Sequence, residues 1–302
     1  MKRCMLVGVS VLAVGLLGSS ATLLSQVLER SLYVSMLDQA GAPVPNLGPS
    51  DFIVREDNVS REVLRVVPAS DPMQIAILVD NSVGGASRVP DMRRALPAFI
   101  QQLTVPSASG QRNEVALVTL ASRPTILANY STDPAPLVKA TERIWEETSL
   151  GGYYLLNGII EISQGFKKRE AARPVIVAII GEGPELSSRH PDQVLTPLRD
   201  VGAAFHVISI GSPVITVDTD QRFKDDVVRD GPRTTGGTQS QLLVGSALAG
   251  KLAQLADVLT KAYRVTYAHP DSLIPPDKVT VNARKPEITA YGTPMKETKA
   301  RQ

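Results

Sequence analysis

The sequence predicts an α/β fold, a parallel sheet with helices on both faces, held in a smaller β unit that the two ends of the chain build together. Three observations predict it. Between residues 71 and 262, short unbroken apolar runs alternate with segments whose apolar residues recur at three and four. At both ends of the chain the period falls to two. The third is the run Ile75, Ala76, Ile77, Leu78, Val79, which ends on Asp80 and opens into Asn81-Ser82-Val83-Gly84-Gly85. That is the pattern of a strand buried on both faces, with a loop at its carboxyl end, where ligands sit in open α/β sheets.

The first 26 residues stand apart. Lys2 and Arg3 precede an apolar run over 5–17, and Gly18-Ser19-Ser20-Ala21 follows. This predicts a secretory signal, and so a secreted or periplasmic protein, with an uncleaved anchor as the alternative. Cys4 lies within it and before the apolar core, so the mature chain has no thiol, disulfide or cysteine metal site. Without Lys2 and Arg3, the 32 Lys and Arg fall to 30, matching 30 Asp and Glu. A neutral body argues against a nucleic-acid footprint, and no membrane contact is expected beyond the signal.

Residues 27–70 read as β structure, with strands over 31–37, 52–54 and 62–67 and a tight turn at Asp57-Asn58. In the α/β region, a helix carries Val89, Met92, Leu96, Phe99, Ile100 and Leu103 on one face. Strands follow over 115–120 and, weakly, 125–127. Leu155, Ile159, Ser163 and Phe166 mark a second helix, and 174–180 a buried strand. A helix over 194–201 has Pro197 against its interior. Then come a strand over 205–210 and a long helix lined by Leu248, Leu252, Leu255, Val258, Leu259 and Ala262. The Asp-rich stretch between Gly211 and Gly245 fits no calcium-loop spacing. Phe223 and Val227, four apart, predict a short surface helix. Residues 263–295 return to strands over 263–268, 279–283 and 288–291, expected to pair with those at the amino end. The tail, 296–302, is expected to be disordered.

Asp80 and Ser82, at i and i+2, resemble the first metal motif, Asp-x-Ser-x-Ser, of the von Willebrand factor type A domain. The order of parts is similar to the acidobacterial VWFA-related proteins. The matches are Leu37-Asp38-Gln39-Ala40-Gly41-Ala42-Pro43-Val44, Asp51-Phe52-Ile53-Val54-Arg55-Glu56-Asp57, Ile77-Leu78-Val79-Asp80-Asn81-Ser82, Leu150-Gly151-Gly152, Thr235-Gly236-Gly237 and Tyr263-Arg264-Val265-Thr266-Tyr267. The resemblance implies a doubly wound, Rossmann-like sheet and, at its top, a divalent ion, usually Mg²⁺, that an acidic group of a protein partner completes. Carried over residue by residue, it also implies a degenerate site. Asp80 and Ser82 match, but Gly84 has no oxygen for the third position. Tyr153 stands where the family has Thr, and Glu182 where it has Asp. The metal set is therefore Asp80, Ser82 and Glu182, weak or empty for Mg²⁺ or Ca²⁺, which demand ordered shells of hard oxygens. Ser87, Thr148 or Ser149 would restore an oxygen if the loops shift. The plain alternative is that Asp80 and Ser82 cap the turn that follows.

Other chemistry lacks its residues. No dinucleotide or phosphate-loop glycine pattern is present, nor a Gly-x-Ser-x-Gly elbow. The three histidines do not have zinc spacing: His206 lies in an apolar strand, while His190 and His269 each precede a proline and read as loop residues. No enzyme is expected. A protein partner is, met either through a working metal or, without one, on a rim of Asn81, Gly84, Tyr153 and Tyr154. The two tyrosines read equally as exposed anchors or as the buried first turn of a helix.

Overall fold

A computed structural model describes residues 28–107, 109–145, 151–212, 218–270, 276 and 278–295. The expected signal over 1–26 and the expected tail over 296–302 lie outside the described residues.

The chain enters as β1 (Leu28–Leu37), then β2 (Phe52–Glu56), β3 (Val59–Arg61) and β4 (Val63–Pro68). Asp57 and Asn58 both have positive φ (47° and 67°), the backbone that a two-residue hairpin between β2 and β3 demands. The short β3 was not anticipated in the sequence; three residues are too few to show a period.

The α/β body follows: β5 (Gln74–Val79), α1 (Val89–Leu103), β6 (Glu114–Thr119), β7 (Thr125–Ser131), α2 (Pro134–Thr141), α3 (Leu155–Lys168), β8 (Pro174–Ile180), α4 (Pro191–Asp200), β9 (Ala204–Ile210), α5 (Thr219–Thr235), β10 (Gln239–Leu242) and α6 (Leu248–Thr260). Its sheet has the order β10-β9-β8-β5-β6-β7. All neighbours are parallel except β7, which runs antiparallel at the edge. Residues 120–124 are too few for the crossover that a parallel partner needs. Central β5 shows why its sequence is apolar throughout. Ile75, Ile77 and Val79 pack under α1, α2 and α6, while Ala76 and Leu78 pack under α3, α4 and α5.

Three further features depart from the sequence reading. Helix α4 runs through Pro197, which only deprives the Gln193 carbonyl of its amide. The surface helix is a 17-residue element whose Val227 lies in the core. Its neighbour β10, polar along most of its length, is a parallel edge strand that alternation could not reveal.

The chain closes with β11 (Tyr263–His269), β12 (Val279–Ala283) and β13 (Thr289–Pro294). They pair with the amino-terminal strands. One antiparallel sheet has the order β13-β1-β11-β4 and the other β12-β2-β3. Leu32, Val34, Met36, Phe52, Val54, Val265, Tyr267 and Val281 fill the space between them.

At one end of this unit Glu56 is buried. It accepts hydrogen bonds from Tyr267 (2.9 Å) and Arg61 (2.9 Å), and His269 Nδ1 lies 2.9 Å from both its oxygens. His269 is therefore the buried last residue of a strand, not a loop residue; the proline after it ends the strand and gave the misleading signal. Burial would raise the Glu56 pKa, but the bonds from His269, Tyr267 and Arg61 outweigh it and hold the carboxylate below its ordinary range. Removing it leaves buried donors unpaired. Glu56→Ala is expected to cost about 3 kcal/mol or more, read by urea denaturation followed by circular dichroism.

Candidate functional site

The parallel sheet directs the carboxyl ends of β5, β6, β8 and β9 to one edge, and there the sequence-matched residues meet. Asp80, directly after β5, is fully buried. One carboxylate oxygen accepts from the Ser82 amide (2.9 Å) and the other from the Gly181 amide after β8 (3.0 Å). The carboxylate thus ties two loops together while capping its own turn. Burial pushes its pKa up, opposed by Ser82, the Gly181 amide and the charge of Arg88. The Ser82 hydroxyl is buried and makes no hydrogen bond of ordinary geometry, though it stands near enough to Asp80 to ease that carboxylate's burial.

Gly84 is where a ligating serine would be needed, and the reason it is glycine is steric. A Cβ there would lie 2.7 Å from Gly183 Cα and 2.9 Å from its nitrogen. The two loops touch backbone to backbone. Gly183 is itself pressed on both sides: a Cβ on it would lie 3.1 Å from Ser82 Oγ and 3.2 Å from the Tyr153 ring.

Tyr153 is 0% exposed, so the buried alternative holds and the exposed-anchor reading is corrected for it. Its backbone pairs with the loop after β8, Tyr153 N donating to Pro184 O (3.0 Å) and Leu186 N to Tyr153 O (2.9 Å). This turns the ring inward, with its hydroxyl 3.4 Å from Gly181 O. Lys224 of α5 lies 6.0 Å from the ring centre. Tyr154 is half-buried, as is Gly84. Asn81 is buried too: its side chain donates to Trp145 O (2.8 Å) and accepts from the Ala121 amide (3.1 Å). Of the four rim residues, two therefore face inward.

Glu182 is exposed. It lies 3.0 Å from Arg88 and accepts from the Ser212 amide, and these contacts, the Ser212 amide foremost, hold its pKa below the ordinary range. Ser87 is exposed, and Thr148 and Ser149 lie outside the described residues.

The residues present do not fit an octahedral divalent ion. Both Asp80 oxygens are engaged by amides and both Glu182 oxygens by Arg88 and Ser212. The backbones of Gly84 and Gly183 and the Tyr153 ring crowd the ground between. Among the described residues no group of three His, Cys, Asp or Glu could hold a metal. The orphaned Ser82 hydroxyl is the one feature that matches a ligand.

Two residues escaped the sequence reading. Arg88 ends the turn Val83–Arg88 and carried no motif. Glu185 is buried at the amino end of α3, accepting from the Leu155 (3.1 Å) and Ser187 (2.9 Å) amides. His206, by contrast, is structural as expected: buried, held by Thr238, and kept neutral by burial that pushes its pKa to about 3.

No family model matches this sequence, and no curated protein does. Solved structures do. Proximal thread matrix protein 1 from the mussel byssus is 16% identical over 68% of this chain, with a TM-score of 0.51. The α/β body has the von Willebrand type A fold. The likeness spans about half of the mussel protein, 50% of its length. A second structure of that protein has a zinc-occupied MIDAS motif (14% identity, 68% of this chain and 49% of that one, TM-score 0.49). A von Willebrand factor type A protein from Catenulispora acidiphila is 10% identical over 90% of this chain and 74% of its own, with a TM-score of 0.49.

Two outcomes follow from this geometry. Burial raises the Glu185 pKa from 4.5 to about 7. Between those values the native protein keeps a proton that the unfolded chain has released, so stability falls as pH rises through this window. His206, neutral when folded, works the other way below pH 6.5, so the comparison is with a variant that keeps it: in denaturant melts from pH 5 to 8, wild type is expected to lose stability relative to Glu185→Gln as pH rises. Gly84→Ser is expected to cost about 1–3 kcal/mol, because the loop carrying Gly183 must move, and a thermal melt measures it.

Proposed function

We propose that this chain is an exported, non-enzymatic protein-interaction or scaffold module, whose type A body meets its partner without a metal ion. The reading takes residues 71–262 as that body, set between β segments over 27–70 and 263–295. It includes membership in the acidobacterial VWFA-related family, on the order of parts. Export rests on the basic, then apolar, first 26 residues.

The observation that carries the reading is the closure of the metal position by the Gly84–Gly183 contact and the buried Tyr153 ring. A type A domain closed in this way keeps its upper surface but loses the ion that would draw in a partner's carboxylate. What the surface offers instead is apolar. Trp145 is 66% exposed with Arg93 stacked 4.7 Å from its ring, and Leu243 and Val244, directly after β10, are 78% and 58% exposed. Val83 adds a further exposed side chain in the turn after β5. All four follow carboxyl ends of the sheet or, in the case of Trp145, are tied to one through Asn81. Exposed aromatic and arginine side chains of this kind are enriched in protein interfaces. An enzyme lacks support: each histidine is placed structurally, at a helix cap, in a core strand or against Glu56.

The orphaned Ser82 hydroxyl favours one rival, an adhesion module with a rearranged but working site for Mg²⁺ or Ca²⁺. Calorimetric titration separates the two. No Mg²⁺, Mn²⁺ or Ca²⁺ binding tighter than millimolar is expected, and a micromolar site overturns the metal-free reading. Capture of partners from the native envelope fraction is expected to survive EDTA and to be lost in Trp145→Ser/Leu243→Ser.

A further inference from the structure

Arg88 lies at the centre of the closed site, its side chain 13% exposed. One guanidinium nitrogen donates to the Gly84 carbonyl at 2.7 Å, and the other lies 3.0 Å from the Glu182 carboxylate. The second acid is close by. A Cβ on Gly181 would stand 2.8 Å from Asp80 Oδ2 and 3.5 Å from Arg88 Nη1, so carboxylate and cation flank a single glycine. Gly211 is crowded in the same way, since any side chain there would run into Glu182 and Arg88. Glycines 181 and 211 thus keep open a cradle that a methyl group would fill. Arg88 occupies it.

Asp80 and Glu182 come from loops after different strands, β5 and β8, and Asp80 is out of water. A buried carboxylate is costly unless a positive charge and hydrogen-bond donors face it. In a working type A site the ion supplies that charge. Here the guanidinium, always protonated and forked, reaches a carbonyl of one loop and a carboxylate of the other.

We propose that Arg88 is the resident cation of this site. Its side chain spans the loops after β5 and β8 and neutralises Asp80 and Glu182 in place of a divalent ion. Because it is part of the chain, no chelator removes it and no change in divalent concentration exchanges it. The upper surface is fixed in one arrangement. The inference rests on the metal-free reading of the site and deepens it.

Thermal melts of the full chain in EDTA and in 5 mM MnCl₂ test it. The wild-type melting temperature is expected to be the same in both. Arg88→Met is expected to melt about 4 °C or more lower in EDTA. It should regain about 2 °C in Mn²⁺, the shift a millimolar site gives at this concentration, and lose that recovery when Glu182→Gln is added. Should Arg88→Met not fold in EDTA, Arg88→Gln gives the same comparison. A variant that melts like wild type, or whose loss Mn²⁺ leaves untouched, overturns the resident-cation inference and leaves the metal-free reading standing. A Mn²⁺ response in the wild type overturns the metal-free reading itself.

Discussion

The backbone of Gly84 rests on the backbone of Gly183, and the character of the site depends on that contact. Two loops from neighbouring parallel strands approach until no side-chain atom fits between them. The approach leaves no place for a ligating hydroxyl on the first loop. It also sets Gly183 against the Tyr153 ring, and it brings Asp80 within reach of the Gly181 amide. Protein atoms fill the ground between the loops, and close packing holds them together.

Polar groups around the contact are arranged to match. Asp80 accepts amides from both loops, Arg88 bridges a carbonyl and a carboxylate, and Glu182 caps Ser212. Glu185 extends the same logic one turn further by holding the amino end of α3. Asp80 and Glu185, both buried, thus face backbone amides, while the exposed Glu182 faces an amide and a guanidinium. The Ser82 hydroxyl is the exception, a polar group left without a bond of ordinary geometry in an otherwise satisfied cluster.

Much of the fold was legible because its signals are local. β5, β8 and β9 are apolar runs bounded by polar residues, and α1, α3 and α6 carry unbroken stripes. The pairing of the two chain ends was legible from the return of a two-residue period. What escaped was short or set by neighbours. β3 and β10 have too few residues to alternate, and the antiparallel run of β7 follows from a connection length. At the site, the positions of Asp80, Gly84 and Glu182 were legible, as was the loss of oxygens. The inward turn of Tyr153 was not, because it depends on backbone pairing with residues 184–186 that lie far along the chain. Nor was Arg88, whose role exists only once Gly181 and Gly211 are brought beside it.

Strand β1 lies between β11 and β13, and its later part, residues 32–37, pairs with β13, Leu32 facing Pro294 and the Met295 amide donating to Ser31 O. Whatever precedes Leu28 and follows Met295 therefore leaves the β unit from neighbouring points. Tension applied through both would peel β13 from β1 one pair at a time rather than slide the strands past each other. Helix α5 rests on β13, Thr293 Oγ1 donating to Thr235 O and Gly236 packed on Gly292, so the same pull would reach the α/β body as the first pairs opened.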